Sequence, residues 1–155
     1  MKPEALTEFS IYLDQRPGEL AGVLDAAGAA GVEVESFSVS EHNGRGLIRL
    51  IGEPVEALRA VCESMTDSGV GPIVESGVLA VRVDDRPSAM RDLTTAMADR
   101  RINVRYAYMS PGRVDGQVVT RCVFRVDDLE GVLAEIEAID WPGEGHLNGS
   151  DEGEG

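Results

Sequence analysis

Aromatic side chains are scarce in this chain: three Phe, three Tyr and one Trp among 155 residues. A close-packed interior must then be filled by Val, Leu, Ile, Ala and Met. Basic residues are scarce as well, 14 Lys plus Arg against 28 Asp plus Glu, for a net charge of −14. A surface of that sign repels phosphate backbones and anionic headgroups, so neither nucleic acid nor a membrane is an expected partner. The longest apolar runs have the length of strands, too short to cross a bilayer. The opening MKPEALTEF has no apolar run after its Lys, so no export signal is expected and the chain is placed in the cytoplasm. The two cysteines, Cys62 and Cys122, lie far apart among apolar neighbours, which points to buried free thiols and not to a metal site. Histidine is limited to His42 and His146, neither beside a plausible nucleophile or second ligand. There is no P-loop and no G-x-G-x-x-G, and the glycines of DAAGAAGVEV close a helix instead of opening one. The expectation is a protein without catalysis and without a cofactor.

What the chain does contain is an internal repeat. Moved by 70 positions, IYLDQRPGELAGVLDAAGAAGVEVESFSVS (11–40) lies on VRVDDRPSAMRDLTTAMADRRINVRYAYMS (81–110) without a gap. After the next hairpin the shift becomes 74, which sets PVEALRAVCESM on DLEGVLAEIEAI, so the second copy has the longer hairpin. Each copy opens on an alternating strand, Phe9, Ile11 and Leu13 in one and Leu79, Val81 and Val83 in the other. A helix follows, with Leu20, Leu24 and Ala27, or Met90, Leu93 and Met97, at helical spacing. In the first copy come a strand from Val32 to Val39, the hairpin signal SEHNGRG, the strand LIRLIG, a helix from Pro54 to Met65 and a closing strand, GPIVES.

That order is β-α-β-β-α-β, so the fold class is α+β: two tandem ferredoxin-like modules, with helices on one face of antiparallel sheets. The expected division is 1–76 and 77–140, with 141–155 a disordered acidic tail. In the second copy WPGEGHL follows the last helix and has little β-propensity, so that module's fourth strand is short or missing. Its sheet edge is then either bare or completed by a borrowed strand. Strand patterns also show apolar residues on both faces: Val32 and Val34 against Phe37 and Val39, and Ile102, Val104, Tyr106 and Tyr108 against Ala107 and Met109. Strands of that kind are covered on both sides, by packing of the two copies, by a homodimer, or by both.

The strand-to-helix corner repeats LDQRPGEL as VDDRPSAM. Pro17 and Pro87 suit a first helical turn, where no N–H bond is lost. The free N–H groups there lie at the positive end of a dipole and accept an anion. Gly18, read as the second helical residue, lets a ligand approach the backbone. Asp14 beside such an anion site would suit a zwitterion, although capping by Asp14, pairing of Arg16 with a surface acid and turn-making by Pro17 account for the same residues.

The repeated D-x-R-P corner, with glycine next in the first copy, inside a β-α-β-β-α-β unit resembles the ACT domain family over about residues 7 to 140. The resemblance implies regulation by a small ligand, most often a free amino acid, held between two modules near the first strand-to-helix loop. The matching positions are Asp14, Gln15, Arg16, Pro17, Gly18, Glu19 and Leu20, and in the second copy Asp84, Asp85, Arg86 and Pro87. Ser88 replaces the glycine there, so the first corner is the expected ligand site. With no stretch left over for a catalytic domain, the output is expected in trans, to an amino-acid biosynthetic enzyme or through the oligomer state. A reading without any ligand, as an interaction subunit of such an enzyme, fits the same repeat.

Overall fold

A computed structural model describes residues 1–142. The chain runs β1 (Lys2–Leu13), α1 (Glu19–Ala29), β2 (Glu33–His42), β3 (Arg45–Glu53), α2 (Val55–Asp67), β4 (Ile73–Val83), α3 (Ala89–Asp99), β5 (Val104–Val114), β6 (Gln117–Val126) and α4 (Leu129–Glu137). The repeat is visible in the elements themselves: Val23 of α1 and Leu93 of α3 are 70 positions apart, and both are buried. The helix starts Pro54 and Asp128 are 74 apart. Both hairpins turn on residues that tolerate positive φ, Asn43-Gly44 (50° and 77°) and Asp115-Gly116 (49° and 79°), the signature of tight type I′ turns.

All six strands join one antiparallel sheet in the order β2-β3-β1-β4-β6-β5. The strand expected to close the first module and the strand expected to open the second are a single strand, β4, so the 76/77 division falls inside it. β1 is correspondingly long. Its second half pairs with β3 and with the start of β4, while Lys2–Leu6 pairs with Val78–Arg82. Those five residues occupy the place of the second module's fourth strand, and no strand follows α4 among the described residues. The second module therefore borrows its edge from the first, which leaves β4 with partners on both sides.

The helices lie on one face of the sheet. Phe9, Ile11, Leu13, Ile48 and Leu50 pack under α1 and α2 with Val23, Ala27, Leu58 and Cys62. Leu79, Val81, Phe124 and Val126 pack under α3 and α4 with Leu93, Met97, Val132 and Ile136. Each fully buried side chain of this kind contributes about 1.5–3 kcal/mol. Trp141, which the sequence pattern places in the tail, is buried against the second of these clusters. The remainder of that tail, 143–155, lies outside the described residues.

Two bulges correct the face assignments. The ladder of β2 slips between Val34 and Ser36, and that of β5 between Val104 and Tyr106. One extra residue reverses the alternation. Phe37 and Val39 therefore face the same side as Val34, opposite Leu50 and Ile48 of the helix-covered face. Val104 joins Ala107 and Met109 on the helix side, while Tyr106 and Tyr108 turn to the other face. That other face is not bare, because the sheet curls until its edge strands β2 and β5 approach each other. Ile51, Val78 and Val123, with Leu6 and Tyr108 beside them, are packed inside the curl.

The interior of the curl also holds a charged residue that the sequence pattern does not single out. Glu8 is fully buried on β1, and both Tyr106 and Tyr108 of β5 donate their hydroxyls to its carboxylate. Arg49 of β3 lies 4.0 Å from Glu8 and stacks 3.7 Å from the Tyr106 ring centre. Arg121 of β6 bridges Glu4 of β1 at 3.4 Å and Glu35 of β2 at 3.0 Å. These polar contacts tie strands of the first module to strands of the second across the sheet. Two donors and a nearby guanidinium offset what desolvating the Glu8 carboxylate costs.

Candidate ligand site

The two corners share a sequence but not a backbone. In the first, the Glu19 N–H donates to the Arg16 carbonyl at 3.3 Å, and Gly18 has φ 91° and ψ −14°. Pro17 and Gly18 thus form the centre of a type II turn that ends at the helix, and Gly18 is the left-handed residue such a turn requires. In the second, the Ala89 N–H donates to the Arg86 carbonyl at 3.1 Å, and Ser88 has φ −90° and ψ −5°, the values of a type I turn. Pro17 and Pro87 precede their helices instead of opening them, and Gly18 is the cap residue, not the second helical one. The Pro–Gly and Pro–Ser peptides are rotated by about half a turn relative to each other, as the two turn types demand. Neither Gly18 nor Ser88 caps its helix with a side-chain hydrogen bond.

At the first corner the charges spread over an open surface. Asp14, Gln15, Arg16, Pro17 and Gly18 are all exposed, and Glu19 and Leu20 are half-buried. Arg16 pairs with Asp14 at 3.1 Å and with Glu19 at 3.2 Å. The adjoining depression, about 290 Å³, is lined by Leu13, Gly18, Glu19, Gly22, Met65 and Val70, and reaches no hairpin residue.

The second corner is built inward. The Arg86 Nη1 group donates to Asp92 at 2.5 Å and to Ser88 Oγ at 2.7 Å, while Nε lies 3.5 Å from Asp84. The hydrogen bond from Arg86 holds the Asp92 carboxyl below the usual carboxylate range. Nε and Nη2 of Arg86 are buried and have no hydrogen-bond partner in the protein. The α-ammonium of Met1 lies 3.5 Å from Asp84. In front of this corner is a cavity of about 760 Å³. One wall is Asp84, Asp85, Arg86 and Pro87; the facing wall is Met109 and the tip of the β5–β6 hairpin, Val114 to Val118, with Met90 of α3 beside them.

The longer hairpin is the reason for that second wall. The two modules are 70 positions apart at Val34 and Val104, 72 at the turns Asn43 and Asp115, and 74 at the helix starts Pro54 and Asp128. Two residues have therefore been added to each arm. An even addition leaves the face pattern unchanged and simply carries the tip further.

Residues 77–140, from within β4 through α4, match the family model of the ACT domain. The match covers the second copy of the repeat. Most of the chain shares its fold with solved structures. Protein BT0572 from Bacteroides thetaiotaomicron is 16% identical over 87% of this chain and 88% of that one, with a TM-score of 0.70. The ligand-free regulatory subunit of aspartate kinase from Thermus thermophilus is 12% identical over 85% and 91%, with a TM-score of 0.59. The corresponding subunit from Thermus flavus is 15% identical over 88% and 95%, with a TM-score of 0.55. At such identities the likeness is one of fold. No curated protein matches the chain by sequence.

Within the matched stretch, the structure brings Asp84, Asp85, Arg86 and Pro87 to one cavity wall. The residues that sequence reasoning does not reach are Met90, Met109, Asp115, Gln117 and Val118, from the helix and the hairpin. The one signal the sequence offers is the change of shift from 70 to 74, which locates the insertion but not what it faces. Among the described residues no helix is long and apolar enough to cross a membrane. No group of three or more His, Cys, Asp or Glu among them is placed to hold a metal. Burial pushes the thiols of Cys62 and Cys122 up to about 11, so neither is a ready nucleophile at neutral pH.

Proposed function

We propose that this protein is a non-catalytic regulator that binds a free amino acid at a strand-to-helix corner and signals in trans to another protein. The observation that carries the proposal is the cavity of about 760 Å³ at the second corner, where Arg86 and two aspartates, Asp84 and Asp85, line one wall. Groups of both signs at that spacing suit a ligand with a carboxylate and an ammonium. The type II corner around Gly18 offers only the shallow depression, so the second module is the stronger of the two sites, against the expectation from Gly18 alone. The ACT domain supports a regulatory reading, as does the shared fold of an aspartate kinase regulatory subunit.

A ligand that binds only the folded state stabilises it by RT ln(1 + [L]/Kd), about 2.7 kcal/mol at a hundredfold excess over Kd. A thermal-denaturation screen of the twenty amino acids at millimolar concentration is expected to raise Tm with one or a few of them. No shift with any of the twenty would sink the proposal. A second reading, an interaction module without its own ligand, draws on Phe37 (48% exposed) and Val39 (54%) on the open edge β2. Co-purification with an amino-acid biosynthetic enzyme, unaffected by added amino acids, would favour that reading. Light scattering of the isolated chain would distinguish it from homodimerisation through the same edge.

A further inference from the structure

We infer that the cation receiving a ligand carboxylate in the second-module cavity is Arg82 of β4, and that the corner arginine, Arg86, belongs to the framework. The inference rests on the amino-acid reading above and names the residue that anchors the ligand. Arg86 is already engaged. Its Nη1 donates to Asp92 and to Ser88 Oγ, and its Nε faces Asp84 at 3.5 Å. Asp84 lies 3.5 Å from the Met1 ammonium as well. These charges answer one another inside the corner. Arg82 lines the same cavity, is half-buried, and makes no hydrogen bond or ion pair with any described residue.

The sheet register sets Arg82 between two further cations. Lys2 of β1 is its Cα partner on one side, and Arg121 of β6 is its partner on the other. Residues directly opposite each other in antiparallel strands project from one face, where like charges repel. Three cations thus share one rung in a chain of net charge −14. Arg121 is neutralised within the curl by Glu4 at 3.4 Å and Glu35 at 3.0 Å. Exposed Lys2 has no such partner among the described residues, and neither has Arg82. An anion beside Arg82 relieves that repulsion, and a guanidinium offers two parallel N–H groups that fit a carboxylate. On the cavity wall Asp85 is exposed and likewise has no partner among the described residues, so it is the acid left for a ligand ammonium. Both charges that a free amino acid needs are then present without disturbing the bonds between Arg86, Asp92 and Asp84.

Thermal-shift titration of the full chain with the twenty L-amino acids, and with the carboxamide of each that raises Tm, tests this. The carboxamide lacks the negative charge and is expected to bind about tenfold more weakly than its amino acid. Arg82→Gln is expected to weaken the amino acid about tenfold and to erase its advantage over the carboxamide. Without ligand, Arg82→Gln is expected to melt no lower than the native chain, because it removes a repulsion and breaks no bond. A ligand-free Tm well below the native one overturns the inference and leaves the amino-acid reading standing. So does a carboxamide that binds as well as its amino acid, or amino-acid binding that is indifferent to Arg82→Gln. Failure of all twenty amino acids to bind overturns both.

Discussion

The corners at Gly18 and Ser88 are two answers to one sequence motif. Both carry Asp, Arg and Pro in register, both end a central strand, and both lead into an eleven-residue helix. Glycine permits the left-handed turn at the first, and its Arg16 lies out on the surface between Asp14 and Glu19. Serine holds the second in the right-handed turn, offers its hydroxyl oxygen as an acceptor to Arg86, and helps turn that guanidinium inward. The added hairpin residues then place a wall opposite. A duplicated module has thus kept its backbone plan while one replaced residue and one even-numbered insertion separate an open corner from an enclosed one.

The comparison breaks most visibly if the second module loses its borrowed strand. Removing Lys2–Leu6 takes five paired positions from β4 and the Leu6 side chain from the interior of the curl. At about 1 kcal/mol for each ladder position, the expected loss is about 5 kcal/mol. In urea titrations the whole chain should be destabilised, with amide exchange accelerated first over 77–83. Retained protection there would show that the second module does not depend on the first.

A smaller effect is expected inside the curl, where the second module has Tyr106 and Tyr108 at the positions of Ser36 and Ser38. Tyr108→Phe removes one donor from buried Glu8 and is expected to cost about 2 kcal/mol, while Ser38→Ala costs almost nothing. Burial, followed by the hydrogen bonds to Glu8, raises both tyrosine hydroxyls above their ordinary range near 10. A raised folded-state pKa gives stability that is complete below about pH 10 and is lost as pH climbs toward the folded values. Urea midpoints between pH 9 and 11 should therefore fall more steeply for the native chain than for Tyr108→Phe. Parallel slopes would contradict the assignment.

The smallest effects sharpen the corner comparison itself. Gly18→Ser meets no neighbour within 4 Å, so its cost is that of a left-handed serine, about 1–2 kcal/mol. Ser88→Gly is expected to cost about 1 kcal/mol, through backbone entropy and the lost acceptor for Arg86. Thermal unfolding of the two single variants checks both. Equal tolerance of serine at position 18 would mean that the first corner relaxes to the turn of the second.

Much of this architecture is legible in the order of residues. The repeat sets the element order, because the apolar phase of Phe9, Ile11 and Leu13 returns at Leu79, Val81 and Val83 under the same turn chemistry. The sequence reading of a short or missing fourth strand rests on WPGEGHL, of which 143–147 lie outside the described residues; among the described residues no strand follows α4. The bulges are not legible, because a single inserted residue looks like a strand with two apolar faces. Glu8 gives no signal either: its partners are 98 and 100 residues away, and nothing local distinguishes it from any other acid on a strand. The cavity depends on Arg86 and on Val118, which come from different elements and meet only when the hairpin stands beside the corner.

The sequence by itself determined the duplication, the β-α-β-β-α-β grammar and the residues of each corner, since these follow from local propensity, periodicity and turn stereochemistry. Only the tertiary structure decided that two closing and opening strands are one, that the sheet curls around a buried carboxylate, and that the second corner is the enclosed one. Each of those depends on which distant strands share hydrogen bonds and on how far a hairpin reaches. No run of neighbouring residues encodes either quantity.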